Sequence, residues 1–183
     1  MRVYIDDLND SGLSLAFEEG ADSFPALGEI AARNECAFLM PLSIRILMRR
    51  VGDLFVASGS FDTRIRLTCG RCLEPYEAPL ASEFNLTYIQ QLPEKADPAL
   101  HAEIDLPAEE IGMIQFHGDE IDLRDAVQEE VVMALPMRTL CREDCKGLCP
   151  HCGADLNLGD CGCKRKFINS QFAALKGLKL NKR

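Results

Sequence analysis

Between Ala37 and Tyr88 apolar and polar residues alternate with a period of two, the signature of strands that bury one face. Leu42, Ile44, Ile46 and Met48 alternate with Ser43, Arg45, Leu47 and Arg49, and Val51-Gly52-Asp53 then offers a turn. A second strand is expected through Leu54 to Ala57. The clearest alternation sets Phe61, Thr63, Ile65 and Leu67 against Asp62, Arg64, Arg66 and Thr68, as a half-buried antiparallel strand requires. It runs directly into Cys69. After Cys72 the alternation resumes, with Phe84, Leu86 and Tyr88 opposed to Glu83, Asn85 and Thr87. The pattern therefore predicts a hairpin with Cys69 and Cys72 at its tip.

The period then changes. Met113 to Phe116 reads as a short strand, and Leu123, Ala126, Val127, Glu130, Val131 and Leu135 recur at helical spacing, with Asp122 as the expected N-cap and Pro136 as the stop. Met1 to Arg33 shows no sustained period and reads as turns and short elements. Pro93 to Glu110, rich in Pro, Ala and acids, reads as a linker weakly interrupted at Glu103 to Leu106. Phe172-Ala173-Ala174-Leu175 predicts a short helix in a basic tail. The expected architecture is α+β: an antiparallel β-sheet with one main helix over residues 1–136, then a C-terminal cysteine-rich zinc-binding segment and tail over 137–183.

Composition places this pattern in an ordinary folded chain: 183 residues, 47% hydrophobic and 27% charged. Apolar runs such as Ala37 to Leu42 are far short of the roughly 18 residues a bilayer span needs, so no membrane association is expected. The N-terminus lacks the basic start and apolar run of a secretory signal, which makes the expected compartment the cytoplasm. Thiols stay reduced there.

The nine cysteines accordingly read as metal ligands in preference to disulfides. Their spacing is Cys69-x2-Cys72, then Cys141-x3-Cys145-x3-Cys149-x2-Cys152, then Cys161-x-Cys163, with Cys36 standing apart in an apolar run as a buried, inert thiol. Zinc prefers four thiolates in a tetrahedron, and a C-x2-C turn presents two of them to one ion. Gly70 and Gly153 fit the tight, partly left-handed turn this needs. His151 lies between ligand positions as an exposed spectator. Eight thiols suffice for two zinc ions. Cys149 and Cys152 with Cys161 and Cys163 is the first pairing, because the chain can return across a Leu156-Asn157 turn, and Cys69 and Cys72 then meet Cys141 and Cys145. A single zinc with several free thiols is the rival.

A thioredoxin-type redox site needs its C-x2-C at a helix N-terminus after a strand, and neither pair has that context. No HExxH, nucleophile elbow or phosphate loop is present, so no catalytic residue and no small-molecule substrate are expected. A net charge of -9 opposes nucleic-acid binding over the whole surface, yet charge is unevenly placed. Glu94 to Glu130 holds twelve acidic and two basic side chains, whereas Lys164 to Arg183 holds seven basic and none acidic. Arg45, Arg49, Arg64 and Arg66 on the polar side of their strands, Arg71 on the knuckle, and Lys164, Arg165 and Lys166 are the RNA-binding candidates.

Taken in order, these motifs resemble the YceD family of large ribosomal RNA subunit accumulation proteins. The resemblance rests on Cys69-Gly70-Arg71-Cys72-Leu73 after a strand, Ile121-Asp122-Leu123 opening a helix that ends at Ala134-Leu135-Pro136, Cys141, Cys145, Lys146-Gly147-Leu148-Cys149-Pro150-His151-Cys152-Gly153, Leu156-Asn157 and Phe172-Ala173-Ala174-Leu175. It implies a bacterial protein needed for accumulation of large-subunit (23S) ribosomal RNA, with no catalytic activity assigned; the expected role is non-catalytic assistance to ribosome assembly, by binding precursor rRNA or a ribosomal protein. Asn169-Ser170-Gln171 stands where many relatives carry Asp-Pro-Arg, and some relatives lack most of the tail cysteines, so zinc would support the fold and not carry the function. A thiol-disulfide oxidoreductase or redox-sensing zinc protein, and a zinc-stabilised protein-protein adaptor, are the alternatives.

Overall fold

Three long strands turn the period-two pattern into a sheet. In the computed structural model β1 is Arg2–Tyr4, β2 Leu13–Glu19, α1 Pro25–Ala32, β3 Ala37–Phe38, β4 Leu42–Val51, β5 Leu54–Thr68, β6 Pro75–Gln90, β7 Ile114–Phe116, β8 Glu120–Asp122 and α2 Arg124–Ala134. The structure describes residues 1–8, 12–91 and 112–163. The linker expected over 93–110, the tail residues Lys164, Arg165 and Lys166, and the helix expected at Phe172 to Leu175 lie outside the described residues.

The larger sheet has the order β2-β4-β5-β6-β7, with β3 also pairing β5, and β1 pairs β8 in a separate ribbon. All pairings are antiparallel except β6 with β7, which is parallel. Leu42, Ile44, Ile46 and Met48 all face inward, as their alternation demands, and Phe55, Ala57, Phe61, Ile65, Leu67, Leu80, Phe84 and Tyr88 join them. Phe24 and Leu27 from around α1, and Leu123, Ala126, Val127 and Val131 from α2, complete this one core. Helices thus pack on one face of the sheet, and the other face holds the polar half of each strand.

Four sequence expectations change. Leu54–Ala57 and Phe61–Thr68 form one strand, because Gly59, which breaks the apolar pattern, sits in register opposite Phe84. A Cβ on Gly59 would lie 2.4 Å from the Phe84 ring, so the missing side chain makes room for the aromatic. The N-terminal region holds strand β2, whose half-buried Leu13, Leu15 and Phe17 pair along β4; three alternations ending in Glu18-Glu19 are too few to stand out. It also holds a second helix, α1, started by Pro25 at a position where its missing N–H costs nothing. Finally, Leu123, anchored in the core and bonded through its N–H to Met1 O, occupies the N-cap position of α2, while Asp122 Oδ1 accepts the Arg124 N–H from one residue earlier at 2.9 Å. Among the described residues, no helix is long and apolar enough to cross a membrane.

Among the described residues, the Tyr88 hydroxyl is buried without a hydrogen-bond partner, and burial pushes its ionisation well above the usual phenol range. An unmet buried hydroxyl costs about 1–3 kcal/mol. Tyr88→Phe is therefore expected to leave Tm unchanged or raise it by a few degrees in thermal unfolding; a clear loss of stability would show that the hydroxyl is bonded.

Candidate metal centres

The hairpin tip is built by backbone bonds that the second C-x2-C segment repeats. The β5–β6 ladder closes at Thr68 and Pro75. Within the turn Cys69 N donates to Glu74 O at 3.0 Å and Leu73 N to Cys69 O at 2.9 Å; correspondingly Cys149 N donates to Ala154 O at 2.8 Å and Gly153 N to Cys149 O at 2.9 Å. Leu73 and Gly153 are equivalent positions and both have positive φ, 63° and 74°. Gly153 fills the left-handed position as expected. At the first knuckle that position is Leu73, which bears the strain a side chain carries there, and Gly70 instead lets its N–H reach Thr139 O at 2.7 Å.

That last bond draws the chain leaving α2 against the tip. Cys141 and Cys145 then complete a quartet with Cys69 and Cys72, and Cys149, Cys152, Cys161 and Cys163 form a second; within each group the sulfurs lie within 4.8 Å of one another. This is the division the spacing put first. Cys69 Sγ is 3.8 Å from Cys145 Sγ and Cys72 Sγ is 3.7 Å from Cys141 Sγ. Four sulfurs bound tetrahedrally at about 2.3 Å from zinc are about 3.8 Å apart, so the donor set and its spacing suit that ion. The first quartet is sheltered, with Cys69, Cys72 and Cys145 buried beside Tyr76 and Leu140. The second is shallower: Cys149 is buried, Cys161 and Cys163 are half-buried and Cys152 is exposed.

Backbone N–H groups aimed at sulfur favour thiolates. The N–H of Cys72, with those of Cys141 and Arg71, holds the Cys69 thiol down at about 6, and the N–H groups of Cys152 and His151 do the same for Cys149. The Asn157 side chain lowers Cys145. Burial pushes Cys141 up to about 12, and the neighbouring thiols Cys152 and Cys161 push Cys163 to about 12, which is the mutual cost of crowding four thiols that a bound cation would remove. Cys36 is buried apart from both groups, and burial raises its thiol.

Several residues around the quartets have structural contacts that the sequence did not show, among them Arg71, which the sequence offered as an RNA-binding candidate. Arg71 donates from its guanidinium to Cys145 O at 2.8 Å and Glu143 O at 3.4 Å. Its own carbonyl accepts the Leu148 N–H. Gly147, with φ 72°, lies so close to that carbonyl that a Cβ would be 2.9 Å away. The Leu156-Asn157 turn is present, but Asn157 also reaches across to Cys145. A lone Asn between cysteine pairs carries no local signal of that contact.

The arginines divide. Arg45, Arg49, Arg64 and Arg66 are exposed on the outer face of the sheet, and Arg66 pairs there with Glu77 at 2.8 Å. Arg71 braces the knuckle. Arg45 borders an open groove of about 590 Å3 floored by Ala16, Ser58, Gly59 and Ser60 and edged by Glu83 and Asn85. Glu18, Asp62 and Glu83 share this face by strand register, so it is polar and nearly charge-balanced.

Comparison with known proteins locates the chain. The family described as Large ribosomal RNA subunit accumulation protein YceD matches residues 57–179. An uncharacterized protein of Mycobacterium tuberculosis is 28% identical over 137 residues, covering 75% of this chain and 60% of that protein. The chloroplastic large ribosomal RNA subunit accumulation protein YCED homolog 1 of Zea mays is 28% identical over 149 residues, and that of Arabidopsis thaliana 23% over 156; the matches cover 71% and 76% of this chain but 50% and 49% of those proteins. The chain thus spans about half to three-fifths of the curated relatives it matches. No solved structure matches.

Proposed function

The chain belongs to the YceD family, and from that premise we propose that it is a non-catalytic factor in the accumulation of large-subunit ribosomal RNA, held in shape by two structural zinc ions. The observation that carries the reading is the closure of both quartets. Four thiols fill a tetrahedral zinc, leaving no open position for the water or substrate a catalytic zinc requires. A C-x2-C pair between two strands likewise lacks the helix N-terminus that activates redox cysteines.

The contact surface proposed is the outer face of the sheet, where Arg45, Arg49 and Arg64 take no part in the ion pairs of the described residues. Precursor rRNA is the partner those arginines would suit. A basic ribosomal protein is the second reading, favoured by a net charge of -9 and by the acids on the same face. Depletion of the protein tests the role: large-subunit rRNA is expected to fall relative to small-subunit rRNA, and an unchanged ratio would refute it. The triple substitution Arg45→Glu, Arg49→Glu, Arg64→Glu separates the partners. Should RNA bind here, affinity drops steeply and the salt slope shrinks by roughly three phosphate contacts. Should the partner be a basic protein, the same change tightens its binding and RNA affinity is absent throughout.

A further inference from the structure

Resting on the reading that both quartets hold metal, we infer that the two centres are one coupled unit and that Asn157 is the positioning residue that couples them. Asn157 lies in the loop of the second quartet, between Cys152 and Cys161, yet most of its side-chain bonds go to the frame of the first. Nδ2 donates to Cys145 Sγ at 3.4 Å. Oδ1 accepts the Lys146 N–H at 2.8 Å and the Arg142 guanidinium at 2.8 Å, both neighbours of the ligands Cys141 and Cys145. Its place within its own loop is set by Asp155, whose Oδ1 accepts both the Asn157 N–H at 2.8 Å and Nδ2 at 2.7 Å.

Around this amide the two loops share a backbone seam. Leu156 N donates to Gly147 O at 2.9 Å, Leu148 and Asp155 form an antiparallel bridge, and Leu148 N donates to Arg71 O at 3.0 Å. The stretch Lys146-Gly147-Leu148 is therefore held on one side by the first knuckle and on the other by the return loop of the second quartet. It has no slack, since Gly147 admits no Cβ against Arg71 O. A metal that fixes Cys145 fixes Lys146 and, through Asn157, the loop that must place Cys161 and Cys163. Conversely, a metal in the second quartet orders Asp155 and Asn157 and so aims the amide N–H at Cys145, where it stabilises the charge on sulfur. Each ion arrives at a site whose ordering cost the other has partly met, which is positive coupling, and coupling of binding is reciprocal.

Outer hydrogen bonds to metal ligands typically change affinity by about 10- to 100-fold. The test is a residue-resolved NMR titration of metal-free protein with zinc buffered by a competing chelator, in which amides of residues 69–72 report the first quartet and those of 149–153 the second. Cys152→Ser breaks the second quartet at its exposed ligand, so the buried fold of the first is not directly disturbed. It is expected to raise the zinc concentration that half-fills the first quartet by about tenfold. Asn157→Ala should raise it similarly, and the double variant should be no weaker than either single one, because both remove the same link. First-quartet filling unchanged within twofold in Cys152→Ser would show independent centres and overturn the inference. Multiplying effects in the double variant would remove Asn157 as the link and overturn it equally. Wild-type amides at 69–72 that ignore zinc would instead refute the metal reading, and the coupling with it.

Discussion

Protein isolated without chelator is expected to carry close to two zinc ions per chain, and Cys145→Ser is expected to lose at least one of them. Cys145 is 2% exposed and lies within reach of both Cys69 and Asn157, so no solvent ligand can readily replace its sulfur. A structural zinc in a small cysteine module contributes on the order of 10 kcal/mol of apparent folding free energy, which makes this among the largest single-residue effects available in the chain. Loss of metal should therefore release the hairpin tip and residues 137–163, read as fast amide exchange there, while the sheet core from β4 to β6 keeps its protection. Metal analysis that returns no zinc, with all cysteines titrating as free thiols, would refute the structural-metal reading.

Acid should do by protonation what Cys145→Ser does by deletion. The Cys69 and Cys149 thiols are held at about 6 in the folded chain, below their ordinary value of 9.0. A lowered value means that the folded state favours the thiolate. The resulting stabilisation is complete above the ordinary thiol range and disappears as pH falls through about 6, where protons compete with metal for the same sulfurs. Zinc affinity is thus expected to weaken as the pH falls through and below about 6, with zinc held at pH 7 and lost under stronger acid. Zinc occupancy that does not fall at all as the medium is acidified, read by metal analysis after dialysis, would mean that thiolates are not its ligands.

The second large effect is expected at Gly59. Gly59→Val would add a branched side chain to a strand, a change that strand propensity alone favours by up to about 1 kcal/mol. The site forbids it. Its Cβ would lie 2.4 Å from Phe84 Cζ, 2.6 Å from Phe84 Cε2 and 3.0 Å from the Arg45 carbonyl, and Phe84 is 4% exposed with nowhere to turn. Overpacking of this kind costs about 1–3 kcal/mol or more, so a fall in Tm of roughly 5–10 °C is expected in place of a gain. Pairing Gly59→Ala with Phe84→Leu should recover part of the loss, because the clash is between those two groups. Equal stability of Gly59→Val and wild type would show that β5 and β6 are not in this register.

The sequence by itself determined the local elements whose residues answer to their immediate neighbours. Alternation over Leu42–Met48, Phe61–Leu67 and Phe84–Tyr88 is enforced by the pleat, which sends successive side chains to opposite faces, so it is visible in the order of residues alone. The helix α2, Arg124–Ala134, was legible for the same reason at a different period, and the C-x2-C spacing because two ligands of one ion must lie one turn apart. The short elements β2 and α1 were not, since seven or eight residues hold too few repeats and are kept in place by β4 and the core. Spacing ranked the division of the cysteines and tertiary structure decided it: the Gly70–Thr139 bond brings the segment that carries Cys141 and Cys145 against the knuckle of Cys69 and Cys72. It also decided what the arginines do. Four share one exposed face by strand parity, while Arg71, identical in chemistry, is committed to Cys145 and Glu143. Parity along a strand is a property of the chain, but the occupant of a hydrogen-bonding site 72 or 74 residues away in sequence depends on how the hairpin tip and the segment after α2 are packed against each other.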